Sequence, residues 1–328
     1  MKIIAELCQN HNGNFDDVKR MVDLAAASGA THVKIQHIYA KNLVFRPQFE
    51  EGLEIQGGVG SIKRPWLPEH ERLSGLELSA SECEKFVTYA ESQGVIPMTT
   101  CFTRGDVKTI SEQGFKAVKV ASYDCASYTL LRELSSAFDY LIVSTGATFD
   151  DEVLHAASVL KDNAKQFALL HCVTMYPTPL AAMHLHRLAW LKRLCSEVGF
   201  SDHSLVRTDG LIAAKAAIAC GAEIIERHFT IADESATKDG PVSITPERIE
   251  ELASFSRLSQ NDRLAHLNDT YPQWTSMMGD EQRWLSDEEL LNRDYYRGRF
   301  ATPRRAGATK ASEMIMNWEE TPLDSESI

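Results

Sequence analysis

Short apolar segments and longer amphipathic segments alternate along this chain, and the alternation repeats eight times within about the first 260 of its 328 residues. The short segments are nearly continuous in apolar and β-branched residues, which is typical of strands buried on both faces. Strands that alternate with helices form a parallel sheet. Eight such units favour a closed α/β barrel, the (β/α)8 TIM barrel, over an open sheet. The predicted strands are residues 2–7, 32–36, 96–100, 117–121, 140–144, 167–172, 199–201 and 223–228.

The amphipathic segments predict the helices that connect these strands. They are residues 16–28, 80–93, 106–113, 129–138, 150–162, 181–198, 208–220 and 246–260. An open dinucleotide-binding sheet would carry a GxGxxG turn after its first strand, and residues 12–14 do not supply one. The longest insertion, residues 38–79, has a glycine pair at 57–58 and three prolines. A loop of that length usually serves function or covers a site.

The strand–helix alternation stops near residue 260, which divides the chain into three parts. Residues 1–260 are predicted to form the barrel and residues 261–299 a linker or arm. Residues 300–328 contain a short basic stretch and an acidic end. This remainder is too short for a robust independent core. It is therefore expected to be a C-terminal arm rather than a second domain.

Composition excludes several classes of protein. Hydrophobic residues make up 44% and charged residues 24%, which is ordinary for a globular chain. The net charge of −12 disfavours a nucleic-acid or anionic-membrane partner, but it permits a small pocket that binds an anion. No segment is apolar for long enough to span a membrane, and the start lacks the features of a signal peptide, so the cytoplasm is the expected compartment. The seven cysteines form no CxxC pair, and each is interpreted as a small buried hydrophobe.

Two lysines inside apolar strands indicate where the chemistry lies. Lys34 and Lys119 would face the barrel interior only at a cost of several kcal/mol unless they are paired or face an anion. The alternative is that they flank the barrel and extend outward to solvent. Barrel active sites lie at the C-terminal ends of the strands. Polar residues near those ends can complete a phosphate or carboxylate site, namely Thr100, Ser122, Ser144 and Ser201.

Two histidines, His203 and His228, follow the predicted seventh and eighth strands. Two neutral imidazoles beside an anion site are suited to a divalent metal ion. A single histidine at a strand end is more often a hydrogen-bonded core residue, and spacing alone leaves both interpretations open. No HExxH motif is present.

Six motifs along the predicted barrel identify a family. They are IIAELCQNHNG at residues 3–13, ATHVKIQ at 30–36, LIVSTGA at 141–147, LLHCVTMYPTP at 169–179, VGFSDHS at 198–204 and IIERHFT at 224–230. Their order and spacing closely resemble those of the sialic acid synthase family, which comprises N-acetylneuraminate synthase and its bacterial legionaminate, pseudaminate and spore-coat polysaccharide relatives. The resemblance covers residues 1–260, and the set is far more specific than any single motif.

The resemblance implies a reaction and its participants. The family condenses phosphoenolpyruvate with the open aldehyde form of an N-acylated amino sugar, such as N-acetylmannosamine, and uses Mn2+ or Mg2+. The expected products are a sialic-type 2-keto sugar acid and inorganic phosphate. The chain is thus expected to be a metal-dependent, C–C bond-forming transferase of polysaccharide biosynthesis.

The resemblance also implies roles for individual residues. The metal ligands match His203 and His228, and the phosphoenolpyruvate-binding positions match Lys34, Thr100, Lys119, Ser122, Ser144 and Ser201. The sugar-side positions match Tyr176 and Asp239. Glu6 matches the first-strand carboxylate, which either handles the proton of water or neutralises the lysines. The expected catalytic group is Glu6, Lys34, Lys119, Tyr176 and Asp239.

Three departures from the family pattern lie on the sugar side. Thr174 stands where the family has asparagine, and Asp124 stands where glutamate is more usual; both are expected to bind substrate. Residues 238–241 replace the common GPDH-like segment. These changes leave the acceptor less defined than phosphoenolpyruvate.

The C-terminal residues also depart from the family. Residues 303–322 resemble the first part of a small antifreeze-like domain, which in family dimers brings an arginine to the partner's active site. The chain stops before that arginine, so 300–328 is expected to be a truncated remnant. Arginines that can replace it are Arg297, Arg299, Arg304 and Arg305. A homodimer is expected from the family, although the exchanged domain is incomplete.

Two alternatives remain open from the sequence. A related phosphoenolpyruvate–sugar synthase with a different or phosphorylated acceptor would need an additional basic cluster, which Lys63, Arg64 and Arg104 can provide. A non-catalytic barrel that binds a sugar acid is the second alternative. The presence of both histidines and both lysines favours catalysis over binding alone.

Overall fold

A computed structural model of the protein describes residues 1–55 and 58–323. The glycine at position 57 and the last five residues of the predicted acidic end (319–328), residues 324–328, lie outside the described residues. The strands are β1 (Lys2–Cys8), β2 (His32–His37), β3 (Leu53–Ile55), β4 (Gly58–Ser61), β5 (Ile96–Cys101), β6 (Ala117–Val120), β7 (Tyr140–Ser144), β8 (Gln166–Cys172), β9 (Glu197–Asp202), β10 (Ile224–His228), β11 (Thr302–Pro303) and β12 (Met314–Ile315).

Eight of these strands close into a parallel barrel, which confirms the predicted fold. Around the barrel the order is β1-β2-β5-β6-β7-β8-β9-β10, so consecutive barrel strands are hydrogen-bonded neighbours and β10 pairs with β1. Strands β3 and β4 form a separate antiparallel pair within the insertion after β2. Strands β11 and β12 form another in the C-terminal segment.

Alternate residues of the barrel strands belong to two different apolar clusters, because successive side chains of a strand point to opposite faces. On β10, for example, Ile224 belongs to the cluster inside the barrel and Ile225 to the cluster shared with the helices. The interior cluster consists of Ile4, Met98, Ala117, Ile142, Ala168, Leu170 and Ile224. The interior is therefore a packed core, as in TIM barrels generally, and not a pore.

The helices lie mostly on the outside of the barrel. They are α1 (Phe15–Ala27), α2 (Trp66–Ser74), α3 (Ala80–Ser92), α4 (Val107–Glu112), α5 (Tyr128–Ala137), α6 (Asp150–Asn163), α7 (Arg187–Lys192), α8 (Val206–Asp209), α9 (Ile212–Ala219), α10 (Pro246–Ser256), α11 (Gln260–Thr270) and α12 (Asp287–Tyr296). Helix α3 begins after its N-cap Ser79, which forms a capping box with Glu82. In the described part of the chain, none of these helices has the length and apolar character of a membrane span.

Three predicted helices are shorter than expected or interrupted. The helix predicted at 181–198 is reduced to α7, because the backbone N–H groups of Leu185 and His186 bond to the carbonyl groups of Met277 and Met278, far along the chain. The helix at 208–220 is divided into α8 and α9 at Gly210, whose φ is +57°. The helix at 246–260 ends at Ser256.

The C-terminal residues pack against the insertion after β2. Leu43 and Phe45 form isolated bridges with Phe300 and Lys310. Two small apolar clusters join the segments, one around Phe300 and one around Met314. Residues 300–323 are therefore attached to the same end of the barrel as the insertion.

Candidate active site

One polar side chain from each barrel strand forms a layer at the C-terminal end of the barrel. The members are Glu6, Lys34, Thr100, Lys119, Ser144, Cys172, Ser201 and Glu226, all buried and all lining one cavity. Six of the eight lie two residues after a member of the apolar interior cluster, as Glu6 follows Ile4. Because side chains repeat every two residues along a strand, the two layers lie on the same inner face. The barrel core thus ends in a polar layer.

The two lysines of this layer face inward. Lys34 Nζ donates to Thr100 Oγ1 at 2.8 Å and contacts the Glu6 carboxylate. Lys119 Nζ donates to Ser144 Oγ at 2.6 Å and lies 3.8 Å from Glu226. The alternative in which they extend outward to solvent is wrong, because their exposed fractions are 2% and 3%.

Two lysines and two glutamates balance each other within the polar layer. Burial lowers the pKa of Lys34 to about 7. Burial alone would raise the pKa of Glu226, but Lys119 and Lys34 lower it below its usual range. With no net charge in the layer itself, a strongly anionic ligand needs further positive charge from a cation or from the rim.

The cavity that contains this layer has a volume of about 380 Å³. This volume lies in the range of small-molecule sites, about 300–1,000 Å³. Besides the layer, its lining includes the predicted residues Ser122, Asp124, Tyr176, Asp239, His203 and His228. Burial raises the pKa of Asp124 to about 6.

Thr174 is the predicted site residue that does not line the cavity. Its hydroxyl is buried without a hydrogen-bond partner in the described structure. Its backbone is held by α12, since its N–H bonds to Glu289 at 3.4 Å and its carbonyl accepts from Asn292 at 2.8 Å. Thr174 thus joins the barrel to α12.

The two histidines lie side by side. The ring centroids of His203 and His228 are 5.1 Å apart, and the ring planes meet at 86°. His203 Nδ1 is 3.7 Å from Cys172 Sγ, and its ring meets that of Tyr176 edge to face at 4.5 Å. Burial lowers the pKa of both imidazoles, so both are neutral near pH 7 and can act as ligands.

The ligand atoms of Cys8, His228 and Asp239 all lie within 4.8 Å of one another. His228 Nδ1 is buried and has no hydrogen-bond partner among the described residues. Burial, together with the nearby Asp239 and Glu226, raises the pKa of the Cys8 thiol, so a bound cation would have to displace its proton to solvent. With that proton lost, thiolate, imidazole and carboxylate together fit a divalent cation. Cys8 is buried, as predicted, but its thiol lies beside polar groups and it belongs to none of the apolar clusters of the described structure.

Asn10 holds the loop after β10 against the loop after β1. Its Nδ2 donates to the Phe229 carbonyl at 2.8 Å and to Ser243 Oγ at 2.9 Å, and its Oδ1 accepts from Thr237 at 2.6 Å. Ser243 Oγ donates in turn to the Asp239 carbonyl at 2.6 Å. Asn10 therefore positions Asp239. Sequence reasoning gave neither Asn10 nor Glu226 a role, although each lies at the end of a barrel strand.

Helix α12 and the residues after it form one wall of the cavity mouth. Tyr296 stacks on Tyr123, with ring centroids 4.8 Å apart, and Arg299 pairs with Glu69. Among the four arginines suggested as replacements, Arg299 is the one that lines the cavity. The other three pair elsewhere, Arg297 with Glu152, Arg304 with Glu319 and Arg305 with Glu313.

Cations are concentrated at this mouth. Arg64, Arg72, Lys238 and Arg299 all line it. Burial would raise the pKa of Tyr296, but Arg299, Arg64 and Lys238 together lower it.

The basic cluster predicted from Lys63, Arg64 and Arg104 is correct only for Arg64. Lys63 is exposed and pairs with Glu51. Arg104 is buried against Glu133 and backbone carbonyls of the C-terminal segment. These two positive charges are already paired away from the cavity.

Comparisons with known proteins agree with this geometry. The model of the NeuB family matches residues 21–262. The N,N'-diacetyllegionaminic acid synthase of Campylobacter jejuni is 30% identical over 262 residues, which are 79% of this chain and 76% of that protein. The pseudaminic acid synthase of the same organism is 26% identical over 302 residues, 92% of this chain and 81% of that protein.

Solved structures have the same fold. The N-acetylneuraminic acid synthetase of Leptospira borgpetersenii, crystallised with citrate, superposes with a TM-score of 0.66 and 24% identity over 89% of this chain and 90% of that one. The spore coat polysaccharide biosynthesis protein SpsE of Bacillus subtilis superposes with a TM-score of 0.68 over 90% of this chain and 77% of that one. The family model matches most of the length of the chain, and the motifs lie at the strand ends of the barrel. The chain therefore belongs to the NeuB family.

Proposed function

We propose that the protein is a divalent-metal-dependent synthase that condenses phosphoenolpyruvate with an N-acylated amino sugar similar to N-acetylmannosamine. The products are a sialic-type 2-keto sugar acid and inorganic phosphate. The observation that carries the proposal is the cavity in which the buried Lys34 and Lys119, with their hydroxyl partners, adjoin the histidine pair. Family membership supports a condensing synthase, and the legionaminic and pseudaminic acid synthases among its relatives support a sugar acid as product.

The polar layer orients phosphoenolpyruvate in this proposal. Lys34 with Thr100, and Lys119 with Ser144, hold its phosphate and carboxylate, so that C3 faces the aldehyde carbon of the sugar. C3 forms the new C–C bond while the aldehyde oxygen takes a proton. Water adds at C2, and the tetrahedral intermediate expels inorganic phosphate by C–O cleavage, which leaves the ketone.

His203 and His228 would hold the cation, and Tyr176 and Asp239 would contact the sugar. A bound divalent ion supplies Lewis-acid polarisation of the aldehyde oxygen. Glu6 has one oxygen toward Lys34 and the other on the Cys8 N–H at 2.7 Å. In this position it can accept the proton of the attacking water or neutralise Lys34. The remaining proposed substrate contacts come from Ser122, Asp124 and Ser201. Thr174 would act indirectly, because its backbone holds α12, which forms a wall of the cavity.

This geometry suggests different roles for the parts of the chain. Residues 1–260 would carry the catalytic groups, and residues 261–299 would form an arm that closes the mouth of the same barrel. Arg299 is then the arginine that meets the acceptor. The similarity of residues 303–322 to an antifreeze-like domain stays a prediction.

A phosphorylated or otherwise anionic acceptor is a second candidate, favoured by the cations at the mouth. Arg72 and Arg299 share the single carboxylate of Glu69. Arg64 bonds to the Tyr296 hydroxyl at 2.7 Å rather than to a carboxylate. Positive charge beyond what Glu69 neutralises suits an acceptor with its own anionic group.

Phosphate release tests both candidates. The protein is incubated with phosphoenolpyruvate and a panel of N-acylated hexosamines and their phosphates, in parallel series that contain Mn2+, Mg2+, Co2+ or Zn2+. We expect phosphate release that requires one of these acceptors and stops on chelation of the metal. His228→Ala should abolish it, whereas His155→Ala, which removes an exposed imidazole stacked on Tyr128, should not. Release only with phosphorylated acceptors selects the second candidate, and no release with any acceptor contradicts the enzyme proposal.

A further inference from the structure

We propose that Cys8 and Asp239 join His228 in holding the cation, and that the Cys8 thiolate makes this site select a borderline-soft divalent ion, such as Zn2+, Co2+ or Fe2+, over Mg2+ or Mn2+. The inference rests on the proposed function only for the use of the ion in turnover. Binding itself is testable without substrate.

The spacing of the three ligand atoms suits one ion. They lie within 4.8 Å of one another, although they come from three places: the end of β1, the end of β10 and the loop after β10. An ion about 2.0–2.3 Å from each ligand requires ligand atoms no more than about 4.6 Å apart. Small side-chain rotations therefore suffice, with no movement of the backbone.

Two further observations point to a ligand at this position. His228 Nδ1 is buried and unpartnered in the described structure, which is costly for a polar atom unless something occupies the space beside it. Cys8 has a φ of +48° next to a register shift in β1. A non-glycine residue in this region is strained by about 1 kcal/mol or more, and such strain is concentrated at functional sites.

The surroundings hold the group in place. The Cys8 N–H bonds to Glu6 at 2.7 Å, and Asn10 fixes the segment that carries Asp239 through Thr237 and Ser243. The site is thus built by hydrogen bonds of the protein. His203, whose ring adjoins that of His228, offers a further imidazole beside the group.

The chemistry of the donors sets the choice of ion. Mg2+ prefers oxygen ligands, whereas a thiolate with an imidazole favours Zn2+ and similar ions. A site made of two histidines and substrate oxygens, without a thiolate, would not have this preference for Zn2+ and similar ions. Cys8 therefore changes which metal the barrel selects.

Cobalt spectroscopy of the full-length apoprotein without substrates tests the thiolate ligand. Titration with Co2+ should reach one equivalent and produce a near-ultraviolet sulfur-to-cobalt charge-transfer band. Cys8→Ser should remove the band and weaken Zn2+ binding about 10- to 100-fold, with a smaller change for Mn2+. Cys220→Ser, which changes a half-buried thiol away from the cavity, should retain both. The proposal is overturned if the band persists in Cys8→Ser, or if Cys172→Ser removes it instead.

X-ray absorption of the Zn2+-loaded wild-type protein keeps the test independent of how the variants fold. One sulfur scatterer at about 2.3 Å is expected, and a shell of only nitrogen and oxygen contradicts the proposal. These readouts need no turnover. A protein that binds zinc through sulfur but releases no phosphate would refute the proposed function and leave this inference standing.

Discussion

Lys119 shows how single residues of the polar layer depend on one another. It lies between the Ser144 hydroxyl and the Glu226 carboxylate, and Glu226 also accepts from Ser201 at 3.0 Å. In the proposed reaction Lys119 binds the substrate, while Glu226 is its counter-charge when no anion is bound. Stability and activity should therefore respond differently to the two side chains.

The substitution Lys119→Met separates these roles. We expect phosphate release to fall by about 10²-fold or more, because the anion loses a charged donor. The free energy of unfolding should fall by about 3 kcal/mol, because Glu226 stays buried without this partner. Adding Glu226→Gln should restore most of the stability and none of the activity. Urea denaturation and phosphate release measure the two effects, with Lys63→Met as the surface control. A double variant as unstable as the single one would contradict this coupling.

At the scale of elements, the C-terminal segment is anchored to the turn after β6. Asn317 donates to the Phe102 carbonyl at 2.7 Å and to Asp124 Oδ1 at 2.9 Å, and Ser127 donates to the same Asp124 oxygen. Asp124 thus connects the barrel, the segment and the cavity. Burial raises the pKa of this carboxyl group to about 6.

The raised pKa makes a prediction about stability and pH. The native protein keeps a proton on Asp124 that the unfolded chain releases near pH 4. The free energy of unfolding should therefore fall as the pH rises from about 4 to 6. The contribution is about 3 kcal/mol. Asp124→Asn removes it, so the variant should gain stability relative to wild type between these pH values. Denaturation at pH 4, 5, 6 and 7 measures the difference, with the exposed Asp139→Asn as control. A difference that does not change with pH would contradict the prediction.

At the scale of the whole molecule, three distant parts of the chain meet at the cavity mouth. Arg64 and Arg72 come from the insertion after β2, Lys238 from the loop after β10 and Arg299 from the residues after α12. The molecule as a whole carries a formal charge of −12. The group of cations at the mouth is therefore a local feature, and a single arginine should matter there.

Arg299→Ala tests this arrangement. We expect the KM of the acceptor to rise about 10-fold or more, because a charge-assisted contact is worth roughly 1.5–3 kcal/mol. The KM of phosphoenolpyruvate should change much less. Steady-state kinetics with each substrate varied in turn measures the split. Arg305→Ala, an exposed arginine paired with Glu313, is the matched control. Equal effects on the two KM values would place Arg299 outside the acceptor site.

The sequence by itself determined the barrel and the strand ends near which its polar residues lie. Strand and helix periods are local properties, but they left open whether Lys34 and Lys119 face the interior, and the structure decided this. Their common function remains a prediction.

Only the tertiary structure decided what the loops and the C-terminal segment do. It shortened the helix predicted at 181–198, placed Arg299 at the mouth and paired Arg104 away from it. It also placed Cys8 beside His228 and Asp239, which are more than 200 residues further along the chain. Contacts of this kind depend on how the barrel closes and how its loops pack. No local period of the sequence records them, because the free energy that selects them comes from residues far apart in the chain.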